Sequence, residues 1–97
     1  MIKKIGNKDL KVLAKRLQAA SEPTRLQILC LIFGKEKVCV SEIAKKLKLS
    51  VAIVSHHLQA LYKEGILNPE REGKRICYIL AETDFVNDLK NLICKYK

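Results

Sequence analysis

The chain has 97 residues, 48% of them hydrophobic, which suits one compact domain spanning residues 1–97 and leaves no room for a second. Nineteen Lys and Arg against 10 Asp and Glu give a net charge of +9, a surplus that favours a polyanionic partner. The longest apolar run, Ile28 to Phe33, is far too short to cross a bilayer, which argues against a membrane partner.

The basic start, MIKKIGNKDLKVL, lacks the continuous apolar stretch of an export signal, so a cytoplasmic location is expected. In that reducing compartment the four cysteines, Cys30, Cys39, Cys77 and Cys94, should rest as thiols. Their spacing contains no CxxC pair, so no structural zinc site is expected.

In chain order, Leu10, Leu13, Ala14, Leu17 and Ala20 recur at helical spacing and predict an amphipathic helix over about residues 8–20. SEPTR supplies a stop and a restart, with Ser21 as the expected cap and Pro23 in the first turn of a second helix ending at Gly34. Ile28 to Phe33 is apolar on all sides, so this second helix should be central and buried.

After the β-like VCV, Ser41 is the expected cap of a helix over SEIAKKL, with Ile43, Ala44 and Leu47 facing inward. Ser50 then caps a helix from Val51 to Glu64, which buries Val54, Leu58 and Leu61 and stops at Gly65. Two short helices joined by a tight turn outline a helix-turn-helix.

The segments ILNPE and RICYIL flank REGK, whose Gly73 suits the left-handed position of a hairpin turn. A final helix opens at Thr83 and carries Phe85, Val86, Leu89, Leu92, Ile93 and Tyr96 along one stripe. Together these elements predict a mainly α (α+β) winged helix-turn-helix: about five helices with a two-stranded β-hairpin wing.

Four blocks in the same order, SEPTRLQIL, VCVSEIAKKL, SVAIVSHHLQALYKEGIL and REGKRICYIL, closely resemble the ArsR/SmtB family of winged-helix repressors. The resemblance covers about residues 12–80. It implies a homodimer, paired through the first and last helices, that binds a palindromic double-stranded DNA operator and lets go when an inducer reaches it. The two recognition helices would then lie about 34 Å apart, one DNA turn.

The expected DNA-reading face comprises Ser50, Val51, Ala52, Ser55, His56, Gln59 and Lys63, opposite the buried stripe of the Val51–Glu64 helix. Ser55 and Gln59 suit base edges or phosphates, and the amides after Ser50 form a helix N-terminus suited to a phosphate. The family's Ser-x-His-Leu stands here as Ser55, His56, His57 and Leu58, whereas Val51 and Ala52 replace polar residues of many relatives. Arg71, Lys74 and Arg75 at the hairpin tip are the expected minor-groove or backbone contacts.

The resemblance also frames the cysteines. The family's arsenic site pairs two cysteines as Cys-x-Cys; here Cys39 meets Ser41 where the second thiolate would be, so Cys39 is half a site and needs a distant ligand to hold a soft metal. The last helix offers Asp84 and Asp88 but no His, which argues against the zinc or nickel site of other relatives. A further branch senses persulfides or oxidants through a cysteine in the second helix and one near the end of the last, and Cys30 and Cys94 match both positions.

One observation is independent of the family: Cys94 lies about 155° around its helix from the centre of the apolar stripe, where a core-filling cysteine would not stand. The expected function is therefore a DNA-binding repressor with a Cys30/Cys94 thiol switch, no cofactor and no resident metal. The alternatives are a soft-metal or metalloid sensor using Cys39 with another cysteine, and a winged-helix protein-interaction module. Neighbouring Ser55 and His56 cannot meet across a helix, and no paired carboxylates or phosphate loop is present, so no enzymatic activity is expected.

Overall fold

The computed structural model describes residues 6–96. Helix α1 (Asn7–Ser21) leads into α2 (Pro23–Phe33), a two-residue strand β1 (Val38–Cys39), and the pair α3 (Val40–Leu47) and α4 (Val51–Lys63). Strands β2 (Leu67–Glu72) and β3 (Arg75–Leu80) form the wing, and α5 (Asp84–Lys95) ends the described chain. None of the described helices is long and apolar enough to cross a membrane.

The core is built where the sequence is most apolar. Ile28, Leu29 and Ile32 of α2 are fully buried, against Ile43 of α3, Val54, Leu58 and Leu61 of α4, and Ile66 and Leu67 at the base of the wing. Each such side chain contributes about 1.5–3 kcal/mol relative to an exposed one, so this cluster holds α2, α3 and α4 in fixed orientation.

Two caps differ from expectation. Glu22, not Ser21, caps α2: its carboxylate accepts the Thr24 and Arg25 amides at 3.1 and 3.0 Å, while Ser21 closes α1 by donating to the Gln18 carbonyl. A carboxylate has two oxygens for two amides and an anion's attraction to the helix N-terminus, which a hydroxyl lacks. Likewise α3 starts at Val40 with Cys39 as its N-cap, and Ser41 stands exposed in the first turn. Here Glu42 reaches back to accept the Cys39 amide at 3.2 Å, so the capping carboxylate comes from inside the helix.

The turn between α3 and α4 is made by Lys48, the sole non-glycine residue with positive φ (57°) among the described residues. Ser50 caps α4 by accepting the Ile53 amide at 3.1 Å, and Thr83 caps α5 by accepting the Val86 amide at 3.2 Å, both as the sequence predicts.

The wing is wider than the expected two-stranded hairpin. β1 adds to β3 to give a three-stranded antiparallel sheet of order β1-β3-β2, with Val38 opposite Tyr78 and Cys39 opposite Cys77. The β-like VCV supplies this strand, but its pairing with β3 brings together Cys39 and Cys77, 38 positions apart, and has no local signal. Pro69 is tolerated because β2 is an edge strand, and Gly73 takes φ 63° in the turn closed by the Glu72–Arg75 pair. A helix-turn-helix of α3 and α4 beside this sheet is a winged helix.

Candidate nucleic-acid interface and thiol sites

Because Val54, Leu58 and Leu61 turn one face of α4 into the core, the opposite face must meet solvent. Val51, Ala52, His56, Gln59 and Lys63 are exposed there and Ser55 is half-buried, with Ser50 at the N-terminal end. Ile53 and Tyr62 are also exposed large apolar residues on α4, a feature the sequence reading did not single out.

The wing lies against the start of this helix. Val51 and Ser55 share a cleft of about 290 Å³ with Val40, Ser41, Lys74, Arg75 and Ile76, which brings the head of α4 and the wing cations to one surface. Arg71 is exposed further along β2, opposite Ile76. Lys74 and Arg71 have no ion-pair partner among the described residues, whereas Arg75 donates to Glu42 Oε1 at 3.1 Å. Arg75 thus also braces the wing against α3.

A second brace holds the half of β2 next to the turn: Lys37 pairs with Glu72 at 2.6 Å and with Glu70 at 3.8 Å. The hydrogen bond from Lys37 holds the Glu72 carboxyl below its ordinary range, and the same bond to Glu72 raises the Lys37 ammonium. Both groups are solvent-facing, so the effect is weak and salt-sensitive. The Tyr78 phenol is raised by burial, then by nearby Tyr62.

The orientation of α4 is further fixed by SEPTR, whose side-chain contacts no local spacing foretells. Arg25 Nε donates to His57 Nδ1 at 3.1 Å and Arg25 Nη1 donates to the Ala19 carbonyl at 3.3 Å. Glu22 Oε2 lies 3.7 Å from His57 Nδ1, and the Thr24 amide chiefly holds the Glu22 carboxyl below its usual value. His57, of the Ser-x-His-Leu block, therefore mounts α4 on the α1–α2 junction, while neighbouring His56 faces out.

The cysteines separate into two sets. Cys30 and Cys94 are free: Cys94 is exposed, as its off-stripe position predicts, and Cys30 is half-buried. Cys30 lines a groove of about 490 Å³ with Leu17, Leu26, Leu89, Leu92 and Tyr96, so α2 and α5 do lie along one groove.

Cys39 and Cys77, expected as thiols, form a disulfide. Their Cα atoms stand 3.7 Å apart in the β1–β3 register, a juxtaposition 38 residues apart in sequence. Glu72 joins them: its carboxylate and the two sulfurs lie within 4.8 Å of one another. The half-site at Cys39 thus has neighbours that its local spacing could not reveal.

At the far end, Leu10, Leu13 and Leu17 of α1 and Leu92 and Tyr96 of α5 are exposed, Leu17 at 48% and Tyr96 at 83%. Arg16 stacks 5.9 Å from the Phe85 ring centroid, tying the two helices together beside this apolar surface.

The sequence profile described as "Bacterial regulatory protein, arsR family" matches residues 22–68, from the α2 cap to the start of β2. The "Transcriptional repressor SdpR" of Bacillus subtilis is 35% identical over 81 residues, covering 80% of this chain and 89% of that protein. The chain belongs to the arsR family. Among solved structures, HlyU from Vibrio cholerae matches this arsR-family chain with a TM-score of 0.84 at 27% identity, over 94% of this chain and 97% of that one. The homodimeric winged helix-turn-helix DNA-binding domain of Mb0332 from Mycobacterium bovis matches with a TM-score of 0.80 at 30% identity, over 99% and 89%.

Proposed function

We propose that this arsR-family regulator is a homodimeric repressor that grips a palindromic operator with α4 and the wing and releases it on thiol modification. The observation that carries the reading is the shared surface of Val51, Ser55, Lys74 and Arg75, flanked by exposed Ala52, His56, Gln59, Lys63 and Arg71. Methyl groups of Val51 and Ala52 suit thymine, Gln59 suits a base edge, Lys63 and the wing cations suit phosphates, and the α4 amides after Ser50 suit a phosphate.

Dimerisation is supported by the exposed leucines of α1 and α5, since an apolar face of this size is stable in water when a second copy covers it. A two-fold axis there sets two α4 helices about 34 Å apart, the spacing of successive major grooves on one side of DNA.

Release is assigned to Cys30 and Cys94, the free thiols, with a persulfide or oxidant as inducer. A bridge between the second and last helices would shift α5 against the core and change the spacing of the two reading helices. The test is binding to the duplex upstream of the protein's own gene by wild type, Cys30→Ser and Cys94→Ser, each reduced and then persulfide-treated. Wild type should release and both variants should hold on; equal release by all three sinks the thiol assignment. Failure of the reduced protein to bind at low salt sinks repression itself.

A second reading is favoured by the Cys39, Cys77 and Glu72 donors within 4.8 Å of one another: a soft-metal or metalloid sensor in which Cys77 supplies the partner that Cys39 needs. One cadmium ion bound per reduced chain, with operator release and no sulfur bridge at Cys30, would select it.

A further inference from the structure

The joint between the wing and the helix-turn-helix holds a cysteine pair that neither the DNA-reading surface nor the Cys30/Cys94 couple uses. Cys39 is the N-cap of α3, the first helix of the helix-turn-helix, and Cys77 sits on β3, the central strand of the sheet. The two face each other across the β1–β3 ladder, and both are buried, Cys39 at 3% and Cys77 at 0% exposure. Two ion pairs cross the same joint, Lys37 with Glu72 and Arg75 with Glu42.

We propose that Cys39 and Cys77 are a second, intramolecular redox site, closed by hydroperoxides, that locks the wing to the head of the helix-turn-helix. Cys39 is the attacking sulfur. It lies on the two-residue edge strand β1, held to β3 by two register pairs, so a small opening admits an oxidant. As N-cap it also sits at the positive end of the α3 dipole, which stabilises a thiolate. Cys77, on the central strand and fully buried, is the resolving sulfur.

The chemistry balances with the hydroperoxide ROOH as the two-electron oxidant. The Cys39 thiolate attacks its terminal oxygen, the O–O bond breaks, and ROH leaves with a proton, giving a sulfenic acid. The Cys77 sulfur then attacks the Cys39 sulfur, the S–O bond breaks, and water departs with the Cys77 proton as the S–S bond forms. Two thiols have lost two electrons and two protons, and a dithiol reductant restores them by exchange.

The closed bond spans the 38-residue separation that contains all of α3, α4 and β2, so it ties the cations of the wing to the frame that carries the reading helix. In the reduced protein the joint rests on the short β1–β3 ladder and two solvent-facing ion pairs. Only the consequence for operator affinity depends on the repressor reading; bridge formation does not.

The test uses the full wild-type chain, fully reduced, freed of reductant and exposed to tert-butyl hydroperoxide, with Cys30→Ser/Cys94→Ser beside it to exclude exchange with the other couple. Peptide mass spectrometry should find Cys39 joined to Cys77 with loss of two hydrogens in both proteins, reversed by dithiothreitol. In Cys77→Ser the sulfenic acid should be trapped on Cys39 by a 1,3-dione. Amides of residues 38–39 and 77–78 should exchange with deuterium about tenfold more slowly in the bridged form. Thiols at Cys39 and Cys77 that survive treatment overturn the proposal, and so does a reduced chain that takes up one cadmium ion at this pair but forms no bridge. Unchanged exchange at those four amides overturns the lock.

Discussion

The helix-turn-helix with its wing and the α1/α5 end use similar residues to opposite effect. In the first, Ile43, Val54, Leu58 and Leu61 are sealed away from water, and the outside mixes polar and basic side chains with single exposed apolar ones such as Ile53 and Tyr62. In the second, Leu10, Leu13, Leu17, Leu92 and Tyr96 stay open although they follow an equally regular helical stripe. The lesson is that periodicity tells which face of a helix is apolar, but not whether the same chain covers it. The first region covers its own apolar stripe; the second leaves its stripe open to a partner.

The largest effect should come from cutting the sealed side. Leu58→Ala removes a fully buried side chain of α4 and should lower unfolding free energy by about 3–4 kcal/mol in urea titrations. A loss under 1 kcal/mol would mean that the core of this region is not sealed.

On the open side, Leu17→Glu should leave stability near wild type but weaken self-association on the order of 100-fold, read by sedimentation. An unchanged assembly with an unchanged spectrum would place the interface elsewhere and erase the contrast.

Smaller and pH-dependent effects sharpen the account of the joint. The Glu72 carboxyl is held below its ordinary value by Lys37, so its contribution is present above the unfolded-state pKa and is lost as pH falls through the folded one. Glu72→Gln should therefore be less stable than wild type near about pH 7 and equal to it near about pH 3, and high salt should shrink the difference. Lys48→Gly, which relieves the left-handed backbone between α3 and α4, should be the mildest, gaining about 0.5 kcal/mol against the glycine's added chain entropy.

Much of the architecture is local and was legible as such. The Ser50 and Thr83 caps, the Gly73 turn and the stripe of Val54, Leu58 and Leu61 each depend on residues within a few positions of one another, and each stands where the sequence places it. The outward set of α4 follows from that stripe alone. Its companions do not: Arg25 meets His57 across 32 residues and Arg75 meets Glu42 across 33, and no spacing rule links them. Ser21 and Ser41 look like caps by residue type, but Glu22 takes the amides of α2 and α3 begins at Val40, one residue before Ser41.

The sequence by itself determined a winged helix, the outward face of α4 and the off-stripe position of Cys94, because helical and strand periods, caps and turns are short-range physics. Tertiary structure alone decided that β1 joins the sheet, that Cys39 faces Cys77 beneath Glu72, and that the leucines of α1 remain uncovered. Those outcomes depend on which surfaces meet once the chain has closed on itself, and residues nearly forty positions apart carry no local signal of meeting.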